Sequence, residues 1–578
     1  MALDRNKNVP VTTNPKIYKK RTLFDPGVKR RLTSLKHGVV TPFYVREVYP
    51  GDTWMVDHTA FIRSDITEKV PLDDVTLDTY YFYLPYRIIY PDFYRVFGEK
   101  RNNYDNQAYK IPQITLNYVD LDEDNEKAGF TNTFLDQLVY RMNYAQAYQY
   151  QEEDVISALP ICGYYMIINE YFLDENLDPQ IPFTDLFNTS QFDIGGESWD
   201  YFNPALDHPA SMLNNYSALG LYQANKKFDL FTSGLISPAK TFGANTTISL
   251  GTSAPLMLLE EGYALNTATQ GVYPTDSIFT NVKDGDQGDV MQLNTAGGAT
   301  QTKTKLAVDL SSALSADIQT FRTSLIIYSY YEMRGTIGTR RVEQLKQWGL
   351  DVSASELDIP EYLGGESIPL SNIPVLSTQS ASLGEMSGLG ATMVFNDNNA
   401  WSKSFNEMGI IIGVAVARVH HTYTQGKDNR IWSKLIDLDF YHWIYEALGN
   451  VGLRNDYIFN YPGDGKNLEI FNFSPAWNPE RTDWNILSGI FSPMSGDTYA
   501  DFRTYWSYAD YYDERPIFSS EWLKESPNNV ARTMSGRLIP KAYTLEGQQY
   551  LIEFKVHAKW ARIMRSHAKP ANLVGVYW

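Results

Sequence analysis

The side chains of this sequence that could do chemistry are mostly cations, and they gather near its two ends. Residues 1–37 hold ten Lys or Arg (Arg5, Lys7, Lys16, Lys19, Lys20, Arg21, Lys29, Arg30, Arg31 and Lys36) against Asp4 and Asp25, a net of 10 − 2 = +8. The formal charge of the whole chain is −18, so everything after residue 37 carries −18 − 8 = −26. Cations segregated in this way suit a phosphate backbone, which binds by charge without regard to base sequence. Lys555, Lys559, Arg562, Arg565 and Lys569 against Glu553 make a second, weaker patch. The candidate nucleic-acid contacts are Lys16, Lys19, Lys20, Arg21, Lys29, Arg30, Arg31, Lys36, Lys555 and Lys559. Tyr18 and Phe24 are near enough to stack on bases. The bland alternative is a solvated tail with no partner.

Catalytic and metal chemistry finds little support. Asp437 and Asp439 would share a strand face and could act as the paired carboxylates of a glycoside hydrolase, but such pairs more often serve as hydrogen-bonded structure. His420 and His421, read as strand residues, would point to opposite faces and could not chelate one metal. Asp284, Asp286 and Asp289 lack the terminal Glu and flanking helices of a calcium loop and read as a surface turn. Gly426-Lys427 and Gly465-Lys466 are followed by Asp and Asn rather than Ser or Thr, so neither is a phosphate loop. Cys162 is the single cysteine; it excludes an intramolecular disulfide and reads as a small buried residue. No catalytic residue, cofactor or metal is expected.

The elements that must hold the cations are mainly strands. From Ile552 to Trp560, Ile552, Phe554, Val556, Ala558 and Trp560 alternate with Glu553, Lys555, His557 and Lys559, giving one core face and one wet, basic face. Thr53–Arg63 follows the turn Pro50-Gly51-Asp52, and Leu77–Leu84 is expected to pair with it. Met408–Gly426 reads as one long buried strand or two. Helices belong to the connections: Phe134, Leu135, Leu138, Val139 and Met142 share a helical face, as do Ile318, Phe321, Leu325 and Tyr328. A third helix runs through Val342, Leu345 and Trp348 and ends at Gly349.

Residues 1–40 form a basic arm, poor in aliphatics and broken by Pro10, Pro15 and Pro26, which drapes over a partner rather than building a core. The body, 41–578, carries helical and loop insertions at about 100–240. The non-periodic Gly, Ala, Thr, Asn and Gln-rich stretch at about 241–305 (Thr241 to Thr304) reads as an exposed variable insertion.

A chain of 578 residues exceeds one simple core. With 41 Tyr, 28 Phe and 12 Trp against 20% charged residues, it can cover wide interfaces. The longest apolar stretch, Met408–Ala417, is too short to cross a bilayer, and Met1–Pro10 has no apolar core of a secretory leader, so no membrane insertion is expected. Composition leaves several classes open: an assembling coat subunit, an acidic aromatic-rich β carbohydrate-active enzyme, and an adhesin.

Five blocks separate these. The first runs from Tyr81 through Leu84-Pro85-Tyr86-Arg87 to Gly98-Glu99. The second is Ser157-Ala158-Leu159-Pro160, followed by Asn169-Glu170-Tyr171-Phe172 and Asp174-Glu175-Asn176-Leu177. The third is Asp229-Leu230-Phe231-Thr232-Ser233 with Pro238 and Lys240. The fourth extends from Glu332 through Arg334-Gly335, Gly338-Thr339-Arg340 and Val342-Glu343 to Pro360-Glu361-Tyr362-Leu363-Gly364-Gly365. The fifth holds Phe405, Glu407-Met408-Gly409-Ile410-Ile411-Ile412-Gly413, Tyr423, Gln425-Gly426, Trp432 and Asp439-Phe440-Tyr441. In this order they resemble the signature stretches of the major capsid proteins of small single-stranded DNA phages, the gokushovirus branch of the microviruses. Leu173 stands where that family usually has Arg, and the end from Arg562 to Trp578 lacks its usual Arg-Pro-Met-Pro tail.

The resemblance implies a mainly β fold, a single eight-stranded antiparallel jelly roll of viral capsid type with long helical and loop insertions. It implies sixty copies, grouped as pentamers, in a T=1 icosahedral virion assembled in the bacterial host cytoplasm. The implied partners are a circular single-stranded DNA genome, a small basic DNA-packaging protein, and a host surface receptor met by the 241–305 insertion at the three-fold axis. Sixty arms of about eight net charges supply roughly 480, whereas a genome of thousands of nucleotides carries about one negative charge each. The arm is then a local tether, and other cations supply most of the balance.

Overall fold

Ten strands in two antiparallel sheets carry the architecture. The computed structural model describes residues 20–65, 67, 71–99, 109–116, 134–138, 154–181, 221–240, 256–260, 304–308, 318–370, 372–376, 386–461, 463, 465–489, 507–512, 514–535, 539 and 548–567. The chain divides into two compact units, residues 1–238 with 336–578, and residues 239–335.

The strands of these two sheets, all in the first unit, are β1 (Thr22–Phe24), β2 (Val28–Leu35), β3 (Thr41–Val48), β4 (Thr53–Ser64), β5 (Val75–Pro85), β6 (Glu361–Leu370), β7 (Asn372–Leu376), β8 (Met386–Ser404), β9 (Gly409–Val419) and β10 (Tyr550–Arg562). Sheet one runs β1-β10-β4-β8-β7, with β2 also on β10; sheet two runs β6-β5-β9-β3. All of these pairings are antiparallel.

The two sheets share a core. Phe43 of β3 stacks on Phe554 of β10 at 4.2 Å between ring centroids, and Tyr81 of β5 meets His58 of β4 at 5.8 Å and Trp401 of β8 at 6.0 Å. Sheet two has a second apolar face. In β9, Ile411, Ala415 and Ala417 enter the core between the sheets, while Ile410, Ile412, Val414 and Val416 pack in a separate cluster with helix α1 (Leu159–Ile167). A Cβ on Gly163 of that helix would sit 3.2 Å from Ile412, so glycine allows the close approach. Cys162 is fully buried beside it, and burial pushes its thiol up to about 12, leaving it inert.

Several expectations change here. Thr53–Arg63 and Leu77–Leu84 do not pair: β4 pairs with β8 and β10, whereas β5 pairs with β6 and β9. The connection from Ser64 to Val75 is longer than a tight hairpin turn, so each strand takes partners from far along the chain. Within the basic segment, β1 and β2 pair with β10 along the edge it would otherwise expose. His420 and His421 lie just past the end of β9 rather than within a strand. Asp437–Asp439 is a 3-10 turn, in which Asp439 accepts backbone N–H bonds from Leu435 and Ile436 at 2.8 and 2.9 Å. The pair is a turn cap, not a strand-borne carboxylate couple.

Helix α2 (Ile318–Ile337) and helix α3 (Arg341–Gln347) fall where the apolar spacing put them, α3 closing before Gly349 at φ +73°. The helix at Phe134 is described as Phe134–Gln137, and Val139 and Met142 lie outside the described residues. In the second unit, Leu256–Glu260 pairs antiparallel with Thr304–Val308; the rest of the 241–304 stretch, with Asp284, Asp286 and Asp289, lies outside the described residues. Among the described residues no helix is long and apolar enough to cross a membrane.

Candidate nucleic-acid interface

The outward face of sheet one is built from the alternation of β10. Tyr550, Ile552, Phe554, Val556 and Ala558 point into the core, which sends Glu553, Lys555, His557 and Lys559 outward. Cross-strand register adds the neighbours on that face: Arg30 opposite Lys555 on β2, and Asp57 opposite His557, Phe61 opposite Glu553 and Arg63 opposite Leu551 on β4. Arg30, Arg63, Lys555 and Lys559 against Asp25, Asp57 and Glu553 leave 4 − 3 = +1 on this surface, with His557 among them.

Ion pairs fix the layout. Arg30 Nε lies 2.6 Å and Lys555 Nζ 3.4 Å from Glu553, while Asp25 holds His557 Nε2 at 2.7 Å and Lys559 Nζ at 3.7 Å. Desolvation works to raise Glu553, but Arg30 and Lys555 hold its carboxyl below its ordinary value. The His557 hydrogen bond does the same for Asp25. Arg63 is exposed and lies 5.6 Å over the Phe61 ring. The face therefore offers cations together with an aromatic ring, the two kinds of contact that hold single-stranded nucleic acid.

The ten candidate residues divide. Arg30, Lys555 and Lys559 come together on this face. Lys20 and Arg21 are exposed just before β1, with Arg21 donating to Thr53 Oγ1 at 3.4 Å on β4. Lys29 and Arg31 point the other way, because neighbours in a strand alternate and their register partners Val556 and Phe554 face the core. Arg31 donates to the Phe43 carbonyl at 2.9 Å and to Gln137 Oε1 at 3.0 Å. Lys29 lies 5.7 Å over the Tyr44 ring, and burial, with Arg46 and Arg31 nearby, lowers its pKa. Lys36 follows β2, and burial lowers it too. Phe24 is not free for a base, since it stacks on Trp560 at 6.3 Å. Lys16, Lys19 and Tyr18 lie outside the described residues. Arg63 was missed by reading charge runs; the Phe61, Arg63 alternation in β4 was the signal that would have found it.

A second cluster of ionisable groups is buried, not exposed. Glu525 accepts from His37 at 2.9 Å and from His421 at 3.0 Å, and Asp510 takes Lys226 at 2.8 Å with His421 Nδ1 at 3.6 Å. His37 follows β2 of sheet one and His421 follows β9 of sheet two, so Glu525 clamps the sheets at one end. Gly38, at φ +74°, makes room for it, because a Cβ there would lie 2.8 Å from that of Glu525. Among the described residues no group of three or more His, Cys, Asp or Glu side chains is placed to hold a metal.

The family described as capsid protein (F protein) matches residues 17–570, nearly the whole chain. The chain belongs to that capsid protein family. It is similar to capsid protein VP1 of Spiroplasma virus 4, 28% identical over 526 residues that cover 86% of each chain. It is also similar to capsid protein VP1 of Bdellovibrio phage phiMH2K, 28% identical over 539 residues and 90% of each chain, and to capsid protein VP1 of Chlamydia phage 1, 25% identical over 519 residues, 79% of this chain and 82% of that one. The capsid protein is thus a structural subunit rather than an enzyme, a virion component that works by oligomeric shell assembly. The likeness first drawn from five blocks extends well beyond them, and the carbohydrate-active alternative falls.

Proposed function

We propose that sixty copies of this chain, through pentamers, close a T=1 icosahedral shell around a circular single-stranded DNA genome, each copy a single eight-stranded jelly roll. The pairing order supports the fold. Taking β2, β3, β4, β5, β6, β8, β9 and β10 as first to eighth, the first pairs with the eighth, the second with the seventh, the third with the sixth and the fourth with the fifth.

The single observation that carries the orientation is the asymmetry of the two sheets. Among the described residues, α1 packs on the outer face of sheet two, while the outer face of sheet one presents Arg30, Arg63, Lys555 and Lys559. In this reading that face lines the inner wall and holds DNA by charge, without regard to sequence, and the segment holding Lys16, Lys19, Lys20 and Arg21 tethers more of it. A small basic packaging protein supplies further cations. The 241–305 insertion turns outward at the three-fold axis to a host receptor, and assembly takes place in the host cytoplasm.

The test is the salt dependence of binding to a single-stranded oligonucleotide. Each phosphate contact contributes about −0.7 to the slope of log K against log salt. Replacing Arg30, Lys555 and Lys559 by Ala should flatten the slope by about 2; an unchanged slope would sink this face as the DNA contact. Deleting residues 250–295 should spare shell assembly and abolish or redirect adsorption to host cells, and failure of assembly would count against the outward placement.

A further inference from the structure

Apolar side chains on a soluble surface are usually scattered singly, and contiguous patches rarely exceed a few hundred Å². One stretch of the first unit concentrates them in the sequence. Between Ile431 and Leu448, Trp432, Leu435, Ile436, Phe440, Trp443 and Leu448 are each more than half exposed, Leu435 at 86% and Trp432 at 72%. An aromatic side chain offers about 150–250 Å², so the four rings of Trp432, Phe440, Tyr441 and Trp443 alone present roughly 500 Å². Their aliphatic neighbours bring this toward the ~800 Å² that each partner contributes to a stable interface.

The stretch has a built shape. Asp428 caps its first turn by accepting from Arg430 N at 2.9 Å, Asp439 caps the second, and His442 Nδ1 accepts from Ile444 N at 3.3 Å to start the third. Lys434 pairs with Glu480 at 3.1 Å, and Glu446 takes both Arg481 at 3.1 Å and the Tyr441 hydroxyl at 2.9 Å. These pairs spend the charges within the molecule and leave the apolar side chains outermost. Lys434 against Asp437, Asp439 and Glu446 gives 1 − 3 = −2 over residues 431–448, which repels a phosphate backbone. Aromatic area with few unpaired charges is the composition of a protein–protein interface core.

We infer that the band from Trp432 to Leu448 is a face by which one copy of this chain packs on a second copy. This rests on the reading that the chain assembles as a shell, and it names the residues that carry one of the contacts. A closed shell requires each subunit to bury such area on its neighbours, and the band is too apolar to remain wet in a particle.

Hydroxyl-radical footprinting of purified shells, compared with subunits dissociated from them, tests it directly. Trp432 and Trp443 should be labelled at least five-fold less in the shell; equal labelling in both states would overturn the inference. The variants Leu435→Glu and Trp443→Glu give a second measure. Both side chains are exposed, so the melting temperature of the subunit should hold while shells disappear from electron micrographs. Shells formed at the wild-type yield would overturn the inference. If the unaltered chain forms no shells at all, the failure belongs to the proposed function, not to this face.

Discussion

Strand β9 of sheet two sends Ile410, Ile412, Val414 and Val416 to the cluster under α1 and Ile411, Ala415 and Ala417 to the core between the sheets. Strand β10 of sheet one sends Ile552, Phe554 and Val556 to the same core, but Glu553, Lys555 and His557 to water. The first is an almost unbroken apolar run and the second a strict alternation. A strand covered on both faces has no surface left to meet a partner, whereas one covered on a single face must place polar groups on the other, and the choice of cation there decides what it can bind. Covering sheet one with a helix would desolvate Arg30, Lys555 and Lys559 at a cost their partial pairing with Glu553 and Asp25 could not offset.

The largest test of this contrast is a matched pair of substitutions. Ile412→Asp puts an unpaired carboxylate at a site with no solvent exposure and should cost about 4 kcal/mol or more, enough to leave no folded subunit. Lys555→Ala on the bare face should stay within about 0.5 kcal/mol. Urea denaturation measures both, and similar costs would break the comparison.

The clamp joining the sheets should show next, as pH dependence. Burial alone would lower His421, but the carboxylates of Glu525 and Asp510 hold it raised to about 9; against their own burial, His421 and His37 hold Glu525, and Lys226 and His421 hold Asp510, well below their ordinary values. For the histidine, whose folded value exceeds its unfolded one, the stability is complete below about 6.5 and is lost as pH rises through about 9. For Glu525 the stability is present above about 4.5 and is lost as pH falls further. Denaturant midpoints should therefore peak between about pH 5 and 6.5 and decline toward pH 9, the loss on the order of 3 kcal/mol. Glu525→Gln should flatten that profile, and a profile unchanged in the variant would remove the clamp from the account.

The smallest effects sharpen the contrast within sheet one. Arg31→Ala removes hydrogen bonds to the Phe43 carbonyl and Gln137 and should cost about 1–2 kcal/mol without changing the salt slope of DNA binding. Arg63→Ala should leave stability within about 0.5 kcal/mol and flatten the slope by about 0.7. Interchanged results would mean that the two arginines face the opposite ways.

Much of this was legible before folding. The alternation over Ile552–Trp560 located β10 and separated its core face from its basic one, because side chains in a strand alternate whatever its neighbours are. The stretch Met408–Gly426, read as one long buried strand or two, holds β9 at Gly409–Val419 and a short strand at Thr422–Tyr423. What failed was partner choice. Thr53–Arg63 and Leu77–Leu84 are near in sequence, yet each is a central strand of a different sheet. The run Lys29-Arg30-Arg31 looked like one patch until pairing with Val556, Lys555 and Phe554 showed that only its middle residue faces outward.

The sequence by itself determined the one-sided burial of β10 and the buried character of β9, the segregation of charge and the likeness to a capsid family, since periodicity, composition and family blocks are local properties. Only the tertiary structure decided which strands pair, which of the cations share a face, that Arg63 joins them, and that His37, His421, Glu525 and Asp510 meet in one buried clamp. These depend on contacts between residues far apart in the chain, such as Arg30 with Glu553, 523 positions apart. No local pattern encodes such a contact until the two sheets close on their shared core.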